Sequence, residues 1–328
     1  MSLKFIATGD TIITEYYTRD YEGYRELCDF VRTADVRFNN METPLVDDWC
    51  RVSSFSGGHW LRTHTSLLDT LKDFDFNCYS FANNHNLDFF YDGLISTLEA
   101  FEKRGLPYTG AGRDLEQATR HCKVETPNGS LSVLAFTTAC EASSVAGPAS
   151  GKIPGRPGVS ALRYNVKYFV TQEQMEVLRQ IADGSKVNGR VKNRQALGSV
   201  IINDSVFPFD AMEFQVGEPG RMSYGNPYDL TRLEKAVKAA VADADRCVLY
   251  IHSHETKGDS DAEPDYFVEE FARKAIDLGA NAVICSGTHQ VKAVEIYKGM
   301  PIFYSIANFF FRPNDLTSYP VEWFEKYK

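Results

Sequence analysis

The sequence has few of the features that mark a disulfide-rich or zinc-knuckle protein. Its seven cysteines are scattered along the chain, and no two of them form a CxxC pair. An odd and unpaired set of cysteines argues against both a disulfide framework and a structural zinc site. We therefore expect most of the cysteines to be small buried hydrophobic residues.

Basic residues are in the minority. The chain has 35 Lys and Arg against 44 Asp and Glu, which gives a formal net charge of −9. It contains no basic stripe and no basic amphipathic helix that would follow a row of phosphates. Nucleic acid is therefore not an expected partner.

Long apolar runs are also absent. The longest, such as residues 131–139, are much shorter than the roughly 20 residues that a membrane span requires. The first ten residues lead into a strand pattern without the features of a signal peptide. We expect no membrane span and a cytoplasmic location, unless a native leader is missing from this sequence.

What is present is the composition of a folded globular chain. With 328 residues, 43% of them hydrophobic and 13% aromatic, the chain can bury a large core. No stretch has the composition of a linker, and the polar clusters described below extend from residue 10 to residue 289. Because these clusters are expected to form one site, we predict a single domain over 1–328.

Short β-branched or aromatic runs alternate with amphipathic stretches, which is the pattern of an α/β sheet. Turn signals at Asn128-Gly129 and Lys298-Gly299 predict two hairpins. Asp92 is predicted to cap the helix that ends before Gly105. The predicted strands are 3–8, 35–39, 76–82, 247–251 and 281–285. The predicted helices are 23–32, 66–72, the stretch after Asp92, one that begins near Thr231 and one over 267–278.

The hydrophobic periodicity weakens between about residues 141 and 228, where Gly and Pro are frequent at both edges. We interpret this span as a loop-rich excursion that lies over the site. Functional loops often determine what a protein binds, so we expect substrate selectivity to lie there.

Polar side chains follow each of the predicted strands. In an open α/β sheet, ligands bind outside the carboxyl ends of the strands, so these side chains are expected to meet in one crevice. The five clusters are Gly9-Asp10, 39–44, 82–85, 252–255 and 286–289.

The residue types in these clusters suit divalent transition metals. Two carboxylates, an amide and several imidazoles favour Mn²⁺, Fe or Zn²⁺ over Ca²⁺ and Mg²⁺, because imidazole is a poor ligand for the hardest cations. Two metals about 3.5 to 4 Å apart can share a carboxylate, clamp an oxyanion and lower the pKa of a bridging water. The pattern therefore favours a site for two divalent metal ions.

Each of these residues also has a simpler interpretation. An Asp after a strand is more often a turn or helix cap than a ligand, and Asn83 and Asn84 are typical residues for capping a turn. A lone His at a strand end is more often structural than metal-binding. We assign His59, His64 and His121 to the structural group. The other positions gain weight from being clustered at the same edge of the sheet.

Three stretches resemble one known family. They are NMETP (40–44), ANNHNLD (82–88) and EIYKGMPIFYSIANFFF (295–311). Together they are similar to the CapA family of poly-γ-glutamate capsule biosynthesis proteins, which are relatives of the calcineurin-like metallophosphoesterases. The resemblance covers nearly the whole chain. It implies an α/β fold with four layers, a β-sandwich of two mixed sheets flanked by helices.

The resemblance also implies roles for individual residues. Glu42 matches the carboxylate that bridges two metals, and Asn84 matches a ligand of the second metal. His85 matches a catalytic residue that faces the leaving group. Asp88, three residues further on, is positioned to hydrogen-bond that imidazole and fix its tautomer, and an ordinary acidic residue in a first helical turn is the alternative interpretation. The remaining implied metal ligands are Asp10, His252 and His289.

Two positions depart from the family pattern. Ser286 occupies a position where the family has a metal-binding His, and Ile12 stands where the wider superfamily often has another His. A hydroxyl is a weaker ligand than imidazole, so the second metal is expected either to bind loosely or to recruit His254. His254 lies two residues beyond His252, on the same face of an extended chain.

Three functions remain open from the sequence. The first is a metal-dependent hydrolase of the phosphoesterase type, acting on a small molecule or an anionic polymer. The second is a metal-binding but non-hydrolytic component that holds or exports a polymer such as poly-γ-glutamate. The third is a folded remnant with an eroded site, as Ser286 would indicate. The sequence predicts no particular oligomeric state.

Overall fold

The computed structural model describes residues 2–15, 19, 21–201, 205–258, 260–312 and 319–326. Two short 3₁₀ turns, Thr65–Leu67 and Lys72–Phe74, flank helix α2. The helices are α1 Tyr24–Arg32, α2 Leu68–Leu71, α3 Phe90–Glu102, α4 Leu115–Thr119, α5 Gln172–Ser185, α6 Gly189–Ala196, α7 Pro227–Asp243, α8 Tyr266–Asp277 and α9 Val321–Lys326. The strands are β1 Phe5–Ile13, β2 Val36–Met41, β3 Cys78–Ser80, β4 Tyr108–Thr109, β5 Ala111–Gly112, β6 Cys122–Thr126, β7 Gly129–Thr137, β8 Gly158–Val159, β9 Tyr164–Val170, β10 Phe207–Phe209, β11 Met212–Val216, β12 Gly220–Gly225, β13 Arg246–Ser253, β14 Ala282–Gly287, β15 Val294–Tyr297, β16 Met300–Phe303 and β17 Asn308–Arg312.

Two large sheets dominate the architecture. One has five strands in the order β17-β1-β2-β3-β4, and all of its pairs are parallel. The other has six strands in the order β15-β16-β14-β13-β7-β6 and is mixed, because its two outermost pairs are antiparallel. The predicted strands therefore belong to two sheets rather than to one. The two outermost pairs are the predicted hairpins, whose turns lie at Asn128 and Lys298.

Alternation along the strands explains why the two sheets pack face to face. In β13, Val248 and Tyr250 face the first sheet, while Leu249 and Ile251 face the helices on the other side. The ring of Tyr250 packs against that of Phe38 in β2, with centroids 5.0 Å apart. The inner faces of both sheets thus form one apolar layer.

Helices cover the outer faces. Tyr24, Cys28 and Val31 of α1 pack on the five-stranded sheet together with α3. The predicted apolar stripes of α7 and α8 pack on the six-stranded sheet, as the burial of Val237 and Phe271 shows. The result is helix, sheet, sheet and helix, so the sandwich fold class is confirmed. The one difference in detail is that the first sheet is parallel rather than mixed.

The interpretation of 141–228 as loop-rich is wrong for most of that span. Residues 164–225 contain β9 to β12, which form a four-stranded sheet in the order β10-β11-β9-β12, together with α5 and α6. This sheet packs against α8, where Tyr164 stacks on Phe267 and Arg221 pairs with Asp265. Periodicity was a weak signal here because β9 and β11 are only half-buried and pair across two intervening helices.

Two local predictions also need correction. Asp92 lies in the first turn of α3 rather than at its N-cap, because the helix already begins at Phe90. The predicted helix over 66–72 is broken into α2 and its two 3₁₀ turns, and the chain leaves it through the left-handed residue Asp75.

The cysteines behave as expected. Six of the seven are buried and Cys140 is half-buried, and all are free thiols. Among the described residues, no helix combines the length and apolar character that crossing a bilayer requires.

Candidate metal centre

A bulge in β1 turns Asp10 toward the opposite sheet. The register of β1 against β2 shifts between Thr8 and Asp10, so one extra residue is inserted at Gly9. Glycine is needed at that point, because a Cβ would collide with the carbonyl oxygen of Ala307. Asp10 therefore lies within β1, whereas the sequence placed it after the strand.

Hydrogen-bond donors surround the buried carboxylate of Asp10. It accepts from Nδ2 of Asn40 at 2.7 Å, from the backbone N–H of Gly287 at 3.0 Å, and from the hydroxyls of Tyr250 at 3.1 Å and of Ser286. Burial alone would raise the pKa of Asp10, but the charge of His252 and the hydrogen bonds from His252, Ser286 and Asn40 lower it to about 2. Asp10 is therefore an ionised carboxylate.

Glu42 has the opposite surroundings. It follows β2 directly and is fully buried, yet neither carboxylate oxygen has a hydrogen-bond partner among the described residues. Burial, followed by the negative charges of Asp10 and Asp88, raises the pKa of Glu42 well above its usual range. A buried carboxylate without donors is costly unless a positive charge is close to it.

Imidazoles from the six-stranded sheet face Glu42. His252 lies in β13, two positions after Tyr250, and alternation therefore points it toward the first sheet. Its Nε2 is 3.5 Å from Oε1 of Glu42, 2.8 Å from Oδ1 of Asn84 and 3.1 Å from Nε2 of His254. Nδ2 of Asn84 donates to the carbonyl oxygen of Gly57, which leaves Oδ1 facing the imidazoles.

His289 enters the site from the loop after β14. It adopts a left-handed backbone conformation with φ of 57°, which is uncommon for a non-glycine residue and frequent at functional sites. Its Nδ1 is 2.7 Å from Oδ1 of Asn308 and 3.9 Å from Oδ2 of Asp10.

Two groups of potential ligand atoms share Glu42. One group is Glu42, His252 and His254, and the other is Asp10, Glu42 and His289, and within each group the atoms lie within 4.8 Å of one another. Asn84 stands beside the first group. This donor set fits two divalent cations around one shared carboxylate, and the unpartnered oxygens of Glu42 are where positive charge is missing. The five residues implied as ligands and the additional candidate His254 are brought together, and their role as ligands stays a prediction.

His85 and Asp88 form a buried pair beside this cluster. Nδ1 of His85 is 2.7 Å from Oδ2 of Asp88, and its Nε2 is 3.9 Å from Oε1 of Glu42. Asp88 also accepts from the backbone N–H groups of Gly57 and Leu61. Burial raises the pKa of Asp88, although the charge of His85 and its hydrogen bond oppose this shift.

Several residues that shape the site escaped the sequence analysis. Asn40 and Tyr250 both donate to Asp10, and Asn308 orients His289. Asn40 lies inside the polar cluster 39–44, so the sequence could have indicated it as a site residue. Tyr250 lies in an apolar strand and has no sequence signal that separates it from a core aromatic residue. Ser286 has a defined place as well, because its hydroxyl bonds to both Asp10 and Tyr250.

The three histidines assigned to structural roles lie elsewhere. His64 caps a 3₁₀ turn by accepting from the backbone N–H of Ser66. His121 pairs with Asp243 at 2.9 Å, and His59 stacks on Tyr319.

The two-sheet sandwich and this cluster at its strand ends define a class of protein. For that class, the calcineurin-like metallophosphoesterase superfamily is a reasonable assignment. The chain belongs to the family of bacterial capsule synthesis proteins, PGA_cap, whose model matches residues 4–313. The resemblance that the sequence motifs indicated is therefore confirmed.

Several similar proteins align with most of this chain. The protein y4sH of Sinorhizobium fredii is 32% identical over 93% of this chain and 65% of its own length. The capsule biosynthesis protein CapA of Bacillus anthracis is 22% identical over 91% and 56%, and the PGA biosynthesis protein CapA of Bacillus subtilis is 22% identical over 95% and 63%. This chain thus spans less than two thirds of the length of these relatives.

Proposed function

We propose that this chain is a two-metal hydrolase of the phosphoesterase type that serves capsule or poly-γ-glutamate biosynthesis. Its membership of the capsule synthesis family supplies the biological setting. The metals are two divalent ions, Mn, Fe or Zn, which the mixture of carboxylate, amide and imidazole donors suits.

The observation that carries this proposal is the fully buried carboxylate of Glu42. No described donor reaches its oxygens, while imidazoles approach it from the opposite sheet. Glu42 belongs to both ligand groups, and two cations held by those groups would supply the positive charge that this carboxylate lacks. The cations supply Lewis acidity and lower the pKa of a water molecule when they are bound.

Each candidate ligand is assigned to one of two metal positions. Asp10 and His289 would hold one metal ion, and Asn84, His252 and His254 would hold the other. Glu42 would contribute to both. Asn40, Tyr250 and Asn308 hold these ligands in place through the hydrogen bonds described above.

His85 is proposed as the residue that assists the leaving group. Asp88 accepts from Nδ1 of its ring, which fixes the tautomer and leaves Nε2 facing the site. When the ring is doubly protonated, the proton at Nε2 is available to the departing oxygen while the proton at Nδ1 stays hydrogen-bonded to Asp88. Asp88 is itself fixed by the N–H groups of Gly57 and Leu61, so the pair is pre-organised.

The test is turnover of 4-nitrophenyl phosphate and of bis(4-nitrophenyl) phosphate with Mn²⁺. We expect activity that needs the metal, is lost in Asp10→Ala, and falls by about 10²-fold or more in kcat in His85→Ala. Asp183→Asn, a change in an exposed ion pair, is the control and should leave activity unchanged. Absence of turnover in protein shown to be metal-loaded would count against a hydrolase.

A second candidate keeps the metals but not the hydrolysis. Ser286 takes a position where the family has an imidazole, and its hydroxyl is committed to Asp10 and Tyr250. A site with one imidazole fewer favours holding an anionic polymer over cleaving a phosphoester. Pull-down of poly-γ-glutamate that is lost in Asp10→Ala, in protein without turnover, would favour this function.

We also propose that residues 1–328 form a single domain and that the protein is cytoplasmic. Its substrate is proposed to be a small molecule or an anionic polymer.

A further inference from the structure

A cavity of about 780 Å³ lies between α4, α7 and the loop at residues 148–149. Its lining includes Thr119, Arg120, Pro148, Arg232 and Lys235. None of the candidate metal ligands lines it. The cavity is therefore a separate feature, and an inference about it does not depend on the proposed hydrolase.

Arg232 is a mostly buried cation in the wall of this cavity. Its guanidinium donates to the hydroxyls of Ser160 at 3.0 Å and Thr119 at 3.2 Å, and to the carbonyl oxygen of Ala161. These neutral acceptors fix the orientation of the group without cancelling its charge. Burial is the main cause that lowers the pKa of Arg232, and the nearby carboxylate of Asp229 opposes the shift.

That single carboxylate serves two guanidinium groups. Arg163 contacts both oxygens of Asp229, at 2.8 Å and 2.9 Å, while the distance from Arg232 is 3.3 Å. The side chain of Asp229 is only 4% exposed, whereas that of Arg163 is 51% exposed, so the three groups form one ion-paired unit that is open to solvent at Arg163. Two positive charges against one negative charge leave this unit with a net positive charge beside the cavity.

The rim adds further positive charge. Lys235 lies about one turn after Arg232 on α7, and neither its side chain nor that of Arg120 has a hydrogen bond or ion pair with any described residue. The acidic residues on the rim are Asp114, whose carboxylate caps α4, and Glu116. Three cations therefore face two acids, one of which is engaged by the helix it caps.

Part of the remaining surface is apolar. Pro148, Ala236 and Ala239 contribute small hydrophobic side chains to the lining. A pocket with an apolar wall and a few fixed polar groups is typical of small-molecule sites.

We propose that this cavity binds a small organic anion, with its carboxylate near Arg232 and Lys235 and its apolar part against Ala236 and Ala239. The fixed guanidinium supplies a positive charge at a defined position, and Lys235 supplies a mobile charge at the entrance.

Saturation-transfer NMR on the full chain, with benzoate and its neutral analogue benzyl alcohol as probes, tests the proposal. We expect benzoate to bind about tenfold more tightly than benzyl alcohol, and Lys235→Glu to weaken benzoate by about tenfold. Lys235 is exposed, so this change should leave the fold intact. Lys238→Glu, the same change on the same helix outside the lining, should leave benzoate affinity unchanged.

Glu42→Gln distinguishes this cavity from the candidate metal centre. Benzoate binding should persist in that variant and in EDTA. The proposal is overturned if benzoate does not bind, if both probes bind equally, if Lys235→Glu has no effect, or if binding is lost with Glu42→Gln.

Discussion

Two buried carboxylates in this molecule have opposite surroundings. Asp265, before α8, receives two hydrogen bonds from the guanidinium of Arg221, one from the hydroxyl of Ser223 and one from the backbone N–H of Tyr266. Glu42, between the two large sheets, receives none from any described residue. Both are fully buried.

The difference separates a structural group from a functional one. The negative charge of Asp265 is balanced within the chain, so this carboxylate fastens the four-stranded sheet to α8 and needs nothing else. No described group donates a hydrogen bond to Glu42, the nearby charges of Asp10 and Asp88 disfavour its ionised form, and the imidazoles around it are potential ligands. The folded chain therefore tolerates a local cost at Glu42, which metal ions would remove.

The largest expected effect on stability comes from removing Asp265, the carboxylate whose charge is balanced within the chain. Asp265→Ala should lower the free energy of unfolding by about 3 kcal/mol, because it leaves Arg221 facing a buried gap and removes the cap of α8. The partial exposure of Arg221 keeps the loss at the lower end of the usual range. Urea denaturation measures the change. Asp183→Ala, in an exposed pair with Lys192, should have no measurable effect, and equal losses in both variants would remove the distinction.

Replacing Glu42 should change the free energy of unfolding in the opposite direction. In metal-free protein, Glu42→Gln should raise the free energy of unfolding by about 1 to 2 kcal/mol, because folding raises the pKa of Glu42, and a raised carboxyl pKa lowers stability above the unfolded-state pKa. The same urea measurement, made in EDTA, checks this. A loss of stability in the metal-free variant would mean that Glu42 is a structural group like Asp265.

A smaller effect concerns pH. Burial alone would raise the pKa of Asp265, but the hydrogen bonds from Arg221 and Ser223 lower it below its usual value. The stability that this carboxylate contributes is present above the unfolded-state pKa of about 3.9 and is lost as the pH falls through the lower folded-state pKa. Unfolding free energy measured between pH 5 and pH 3 should fall less steeply in Asp265→Asn than in the unchanged chain. Identical slopes would contradict this assignment.

Much of this comparison could be predicted from the sequence, for a clear reason. Asp10, Glu42, Asn84, His252 and His289 were expected to meet, because they lie at or near the carboxyl ends of strands that run in parallel. The helical spacing of apolar residues also predicted correctly which faces of α7 and α8 are buried.

Other features depend on contacts that no local pattern carries. The bulge at Gly9 places Asp10 inside β1, and only the close approach of Ala307 shows why glycine is needed there. The sheet formed by β9 to β12 joins strands separated by two helices. Whether a carboxylate has donors, as Asp265 does and Glu42 does not, depends on residues that are remote in sequence.

The number of metal ions bound per chain tests most directly whether Glu42 lies at the centre of a two-metal site. Protein dialysed to equilibrium against Mn²⁺ and analysed by plasma emission spectroscopy should retain about two ions per chain, whereas Glu42→Gln should retain less than about one. Asp265→Asn serves as the matched control and should keep the content of the unchanged chain. Less than about one ion per chain in the unchanged protein, or equal contents with and without the Glu42 carboxylate, would contradict a site built around that residue.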